Sequence, residues 1–180
     1  MTLGVAFALA GAAAAITFAG IGSATGVSRI GSASNGLLSK EPKYFSRLLI
    51  LMLLPSSQSI YGLTVAFMIF VRLGVLPGME MAMISTGTGL AIFFLGLPVG
   101  IVGGLSALAQ GGTGVTAVNL FAKQNKMFGS CILIISASEV FALFGFLISM
   151  LGVLFLDLEM ANTYIPQVAY AIQSALMSVV

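Results

Sequence analysis

The sequence predicts an all-α membrane protein of four transmembrane helices, built as two duplicated hairpins that assemble into a concentric ring of inner and outer helices. Three observations predict it. Of 180 residues, 59% are hydrophobic and only 7% charged. A soluble domain carries about 25% charged residues, so this composition cannot build a water-facing surface. The charges are also segregated: residues 1–28, 48–71 and 81–122 carry none, and residues 127–156 carry one, Glu139. Crossing ~30 Å of hydrocarbon takes about 20 apolar residues in a helix, and each window is long enough. Finally, the windows are continuous apolar runs, without the ~10-residue alternation of an outer-membrane barrel.

The spans are expected near residues 3–36, 45–73, 80–121 and 129–157. Breaks fall from Ser34-Asn35-Gly36 to Pro42, from Gly74 to Gly78, and from Lys123 to Gly129. The first window lacks the basic flank of a secretory signal, so it reads as a span. Cys131 is the single cysteine and there is no histidine, which leaves no disulfide and no metal-ligand cluster. No basic face exists to bind nucleic acid. Arg29, Lys40, Lys43 and Arg47 flank the first break, Lys123 and Lys126 lie in the third, and only Arg72 lies by the second. This asymmetry predicts a multi-pass protein of the cell membrane. The loops joining spans one to two and three to four are then cytoplasmic, and both termini, with Asp157 and Glu159, lie outside.

The chain reads as a duplication: residues 1–79 form the first hairpin, 80–157 the second, and 158–180 a tail. Tyr61-Gly62 and the apolar run after it echo Phe144-Gly145 at an offset of 83, and Ala24-Thr25-Gly26 echoes Ala109-Gln110-Gly111 at an offset of 85. Internal repeats are common in transport proteins. Spans one and three hold 16 of the 22 glycines. Small residues let membrane helices approach backbone to backbone, which suits an inner wall, with the Leu-, Ile- and Phe-rich spans two and four outside against lipid. In the tail, Pro166 suits the first turn of a short helix running to Val180. Such a helix is too short to span, and is expected at the outer interface or against the ring.

Glu139 is the chemically informative residue. A carboxylate at membrane depth costs ~2.5–3.5 kcal/mol on insertion scales, and such residues mark ion paths by default. The structural alternative is a protonated Glu acting as interhelical glue. Counted from the cytoplasmic ends, Gln58 lies about 13 residues in, Gln110 about 11 and Glu139 about 10, which puts all three at one level, ~15–20 Å deep. Leu54, Ser57, Gln58 and Tyr61 form one helical stripe. Ser57 brings a hydroxyl oxygen, Gln58 an amide oxygen, and Tyr61 a hydroxyl that can bond a carboxylate. Pro55 disturbs the backbone beside them. Gln58 and Gln110 can each also be read as glue between helices, and Ser57 as bonded within its own. Together with Glu139 these groups make one negative charge among several neutral oxygens, a donor set for a hard monovalent cation.

Leu54-Pro55-Ser56-Ser57-Gln58 with Tyr61-Gly62, Ala109-Gln110-Gly111, and Ser138-Glu139 with Phe144-Gly145 resemble the proteolipid rotor subunit of V-type ATPases, above all its bacterial sodium-pumping branch. The resemblance covers residues ~5–156. It implies Na+ ligands at the Leu54 carbonyl, Ser57, Gln58, Gln110 and Glu139, with Tyr61 bonded to the carboxylate. Ser57 departs from the family's Thr but keeps the hydroxyl. The tail has no counterpart in the family pattern. The resemblance further implies a ring of identical subunits in membrane lipid, a stator subunit with an essential Arg, and a cytoplasmic rotor-stalk subunit. The chain is then no enzyme by itself and holds no organic cofactor, because ATP is hydrolysed on other subunits. A proton needs only Glu139 and one partner, whereas sodium needs several oxygens, and the chain supplies about five, so Na+ is expected, with H+ as the alternative. A small proton-coupled secondary transporter is the reading from another class.

Overall fold

The computed structural model describes residues 2–177. Its long helices are α1 (Leu3–Leu38), α2 (Phe45–Leu53), α3 (Ser57–Leu73), α4 (Thr86–Lys123), α5 (Phe128–Ser136), α6 (Glu139–Phe155) and α7 (Leu158–Met177). With their short connecting 3-10 turns, α2 and α3 make one span and α5 and α6 another. Among the described residues, four helices are then long and apolar enough to cross a membrane. The expected boundaries hold to within a few residues except at the third span. That span begins at Thr86 rather than near residue 80. The reason is the turn before it. Gly74 ends α3 in the left-handed region (φ 65°), with Val75 N–H donating to Phe70 O and Gly74 N–H to Val71 O, both at 3.1 Å. The chain then folds back along the end of α3, where Ala82 N–H donates to Leu73 O at 2.9 Å. Ser85 finally caps α4 by accepting from Thr88 N–H at 3.1 Å.

α1 and α4 form one layer, and the two interrupted spans form the other. The first layer is held by backbone contact. A β-carbon on Gly22 would stand 2.2 Å from Gly104 O, one on Gly96 2.4 Å from Gly11 O, and one on Gly111 2.6 Å from Gly26 Cα. These positions run from Gly11 to Gly26 in α1 and from Gly96 to Gly111 in α4, the middle of both helices. Only glycine permits such an approach, and the gain is close packing where lipid supplies no hydrophobic drive between helices. Each outer span then leans on its own inner helix. A β-carbon on Gly62 would meet Ala15 O at 2.5 Å and Ala19 Cβ at 2.9 Å, and one on Gly145 would meet Pro98 O at 2.7 Å and Val102 Cβ at 3.1 Å.

Those two sets of contacts are the same contact, 83 residues apart. The shift carries Gly62, Ala15 and Ala19 onto Gly145, Pro98 and Val102. It also carries Pro42–Tyr44 onto Asn125–Met127 and Phe45–Leu53 onto Phe128–Ser136. The duplication is therefore geometric as well as sequential. The pairing of Ala24-Thr25-Gly26 with Ala109-Gln110-Gly111 is out of this register by two residues. In the structural repeat the counterpart of Gln110 is Val27, so the first hairpin has no amide at that place.

Apolar packing leaves a gap at mid-height. One buried cluster gathers Val5, Ala12, Val65, Ile69, Ile92 and Val153, and another gathers Ile30, Leu48, Leu51, Val118, Phe121 and Ile135. Between them lie Gln58, Ser106 and Gln110, all buried. At the loop end, Asn125 donates to the Tyr44 hydroxyl, and the Tyr44 ring meets Phe121 edge-on with centroids 5.0 Å apart. At the opposite end, the Arg72 guanidinium donates to Leu156 O at the close of α6.

The tail is a helix from Leu158, eight residues before Pro166, so Pro166 lies inside it rather than in its first turn. The predicted end at Val180 lies outside the described residues. Asn162 fastens α7 to the start of α4. Its Oδ1 accepts from Ser85 N–H at 2.9 Å and from the Thr88 hydroxyl at 2.8 Å, and its Nδ2 donates to Met83 O at 3.0 Å.

Gly22→Ala is expected to abolish the folded state in detergent, because the new carbon strikes backbone that no rotamer change can move. Gly20→Ala, where a β-carbon meets nothing within 4 Å, should be neutral or stabilising by up to ~1 kcal/mol. Thermal unfolding of the purified variants followed by circular dichroism separates the two outcomes.

Candidate ion-binding site

Both outer spans break where the sequence places its oxygens. In the first, Pro55 removes an N–H and the chain makes a 3-10 turn over Leu54–Ser56. The interruption brings the Ser57 hydroxyl to 3.2 Å from Leu54 O and 3.3 Å from Gln58 Oε1. Ligands of a hard cation at ~2.4 Å and at right angles to one another lie ~3.4 Å apart. Ser57 Oγ therefore already stands from each of the other two oxygens at the spacing of neighbouring ligands in a coordination shell.

The second break carries no sequence signal. It falls at Ala137 and Ser138, with no proline present, and makes Glu139 the first residue of α6. A helix N-terminus carries partial positive charge, which favours a carboxylate there by ~0.3–1 kcal/mol. That gain is smaller than the ~2.5–3.5 kcal/mol cost of an intramembrane charge. Glu139 forms no ion pair with any described residue. Its Oε1 accepts from the Tyr61 hydroxyl at 2.8 Å, and the Tyr61 ring lies against Phe146, centroids 5.2 Å apart.

Gln58 and Gln110 are fully buried and bonded to each other, Gln58 Nε2 donating to Gln110 Oε1 at 3.1 Å. Gln110 Nε2 is buried with no partner among the described residues. A buried amide left half-satisfied costs ~1–3 kcal/mol, which is unusual unless the site exists to be completed by something else. The predicted residues thus gather as two adjoining groups. Leu54, Ser57, Gln58 and Gln110 form one, and Tyr61 with Glu139 forms the other.

Ser106 joins the two groups and is absent from the set that the sequence suggests. Its hydroxyl donates to Ser138 O at 2.7 Å, beside Glu139, and accepts from Gln58 Nε2 at 3.5 Å. Two signals could have found it. It lies four residues before Gln110, on the same face of α4, and it is the duplicate, at offset 83, of Ser23. Ser23 also reaches from its inner helix to its outer span, but at a different place and in the other sense, accepting from Ser59 N–H at 3.2 Å.

The repeat seen in the fold appears again in comparison with known proteins. The family model for the C subunit of ATP synthase matches twice, at residues 10–69 and 93–152, again 83 apart. The chain belongs to this family. Within the family it is 36% identical over 151 residues to the V-type sodium ATPase subunit K of Enterococcus hirae, covering 84% of this chain and 92% of that one. It is 30% identical to the A-type ATP synthase subunit K of Methanocaldococcus jannaschii over 78% of this chain and 59% of that one. It is 28% identical to the 16 kDa proteolipid of the human V-type proton ATPase over 81% of this chain and 89% of that one. The resemblance read from the motifs therefore holds: the chain is a multi-pass membrane proteolipid of the V-type ATPase kind, not a catalytic subunit. Family membership removes the secondary-transporter reading.

Gln58→Leu is expected to destabilise the protein by ~1–3 kcal/mol, since it leaves both polar atoms of the buried Gln110 amide without a partner among the described residues. The double variant Gln58→Leu with Gln110→Leu should cost less than the sum of the two single changes. Unfolding in dodecyl sulfate, measured without sodium, gives the cycle.

Proposed function

We propose that this chain is the ion-carrying rotor subunit of a V-type rotary ATPase, and that the ion is Na+, held at Glu139. Identical copies form the ring, with α1 and α4 as its inner wall and the two broken spans facing lipid and the stator. The observation that carries the sodium reading is the oxygen set. Ser57 Oγ lies 3.2 Å from Leu54 O and 3.3 Å from Gln58 Oε1. The Gln110 amide adjoins them, and α6 brings the Glu139 carboxylate. A proton would need only Glu139 and Tyr61. The relative named a sodium ATPase subunit supports the same choice. The relatives named proton ATPase subunits are the reason H+ remains the second reading.

The mechanism follows from electrostatics. An empty Glu139 is an anion that hydrocarbon disfavours strongly. Binding Na+ neutralises the site, and the loaded copy can then turn to face lipid. An arginine on the stator subunit stabilises the empty carboxylate at one place in the circuit, which couples release of the ion to rotation. The loops around Lys40 and Lys126 face the cytoplasmic stalk, and both termini lie outside, as the basic residues direct. Within each chain, residues 1–79 supply the neutral oxygens of the first span pair, and residues 80–157 supply Gln110 and the charge.

Carbodiimide labelling of Glu139 tests the reading. Millimolar Na+ should protect Glu139, and equal K+ should not. Protection that follows pH alone, with no sodium effect, leaves a proton rotor.

A further inference from the structure

We propose that Ser106 fixes the sense of the Gln58–Gln110 amide pair and thereby sets the site's preference for Na+ over a proton. The inference rests on the ion-carrying role given above and adds a positioning residue to it. Two facing amides can bond in either sense, Gln58 nitrogen to Gln110 oxygen or the reverse, because each carries both donor and acceptor. Nothing on the Gln110 side chooses between them, since its Nε2 has no partner among the described residues. Ser106 chooses. The carbonyl of Ser138 can only accept, so the Ser106 hydroxyl commits its single proton there, at 2.7 Å. What faces Gln58 is then a lone pair, and only the NH2 edge of the amide can meet it, at 3.5 Å. Gln58 is held with its nitrogen toward Ser106 and Gln110. Its oxygen is left on the opposite edge, 3.3 Å from Ser57 Oγ.

That edge is where the Leu54 carbonyl and the Ser57 hydroxyl meet. A cation needs the oxygen there, because a reversed amide would present positive hydrogens to it. A proton on Glu139 does not, because its partner is Tyr61. Ser106 therefore acts on sodium binding and leaves proton uptake alone. Ser23, its duplicate in the first hairpin, uses its oxygen to hold Ser59 N–H and bonds no glutamine amide among the described residues. It supplies a control with similar burial and a similar interhelical bond.

The experiment uses the intact ring in detergent and reads carbodiimide modification of Glu139 in two ways. One is the Na+ concentration giving half protection, and the other is the pH of half-maximal modification without Na+. For Ser106→Ala the first should rise roughly tenfold, the effect of one lost buried hydrogen bond on affinity, and the second should stay where it is. For Ser23→Ala neither should move. The proposal is overturned if Ser106→Ala changes half protection by less than about twofold, if its pH midpoint moves as far, or if Ser23→Ala matches it. Failure of Ser106→Ala to assemble a ring, checked by native mass spectrometry, shows a structural role and overturns it too. Absence of sodium protection in the unaltered ring removes the sodium reading itself, which is a different result.

Discussion

Hydrocarbon offers no hydrogen-bond partner, so a polar group at membrane depth must be satisfied from within the chain. That constraint orders the middle of this molecule. Ser149 takes Val99 N–H at 3.0 Å, one residue beyond Pro98 in α4. Ser23 takes Ser59 N–H beside the break in the first outer span, and Ser106 holds Ser138 O beside the break in the second. Each serine reaches from one helix to another, and each does so where a helix is irregular. Tyr61 then serves Glu139, and the glutamines serve each other. What is left over at this height among the described residues is the Gln110 amide nitrogen, a donor that a cation cannot satisfy, so it is the charge of Glu139 that calls for a cation.

The framework and the chemistry obey different symmetries. The framework is a faithful duplicate: the glycine of each outer span presses on the same pair of positions of its inner helix, and both spans break at the same height. The chemistry is not duplicated. Ser56 stands where the second hairpin has Glu139, Phe144 where the first has Tyr61, and Val27 where the second has Gln110. One hairpin thus brings neutral oxygens and a phenol, and the other brings the charge and a second amide. One set of candidate ligands per chain results, and it is gathered where the two hairpins face each other at their breaks.

Much of this is legible in the sequence, for reasons that are physical. Uncharged windows reveal spans because a charge in lipid is expensive, and a lone Glu139 within one of them announces a function on the same ground. The common depth of Gln58, Gln110 and Glu139 follows from the fixed rise of a helix. Three features are hidden. The break at Ala137 and Ser138 has no proline to mark it, and its residues read as ordinary helix. Ser106 sits among Gly103, Gly104 and Ala107 and passes for one more small packing residue until its partner on another helix is known. The third span reads as starting too early because Met81 to Ile84 are apolar. They are held by Leu73 and Asn162, far away in the chain. The tail helix begins at Leu158, where Pro166 suggests a later start, and Asn162 within it is fastened to the start of α4.

The division between the two layers bears on how an ion can be carried by rotation. α1 and α4 touch backbone to backbone at Gly22, Gly26, Gly96 and Gly111, and such contacts cannot slide or hinge without losing the packing that joins them. In the proposed rotor, motion on loading is then left to the outer layer, where helices are broken and side chains end in rotatable amide, hydroxyl and carboxyl groups. A carrier of this kind does not need to change shape to move its cargo across the circuit. In the proposed rotor the rigid layer keeps the site at constant depth, and the adaptable layer exchanges one set of oxygen contacts for another. Glu139 sits on the seam between those demands: fixed in height by α6, free in direction, and steadied by Tyr61 from the facing hairpin.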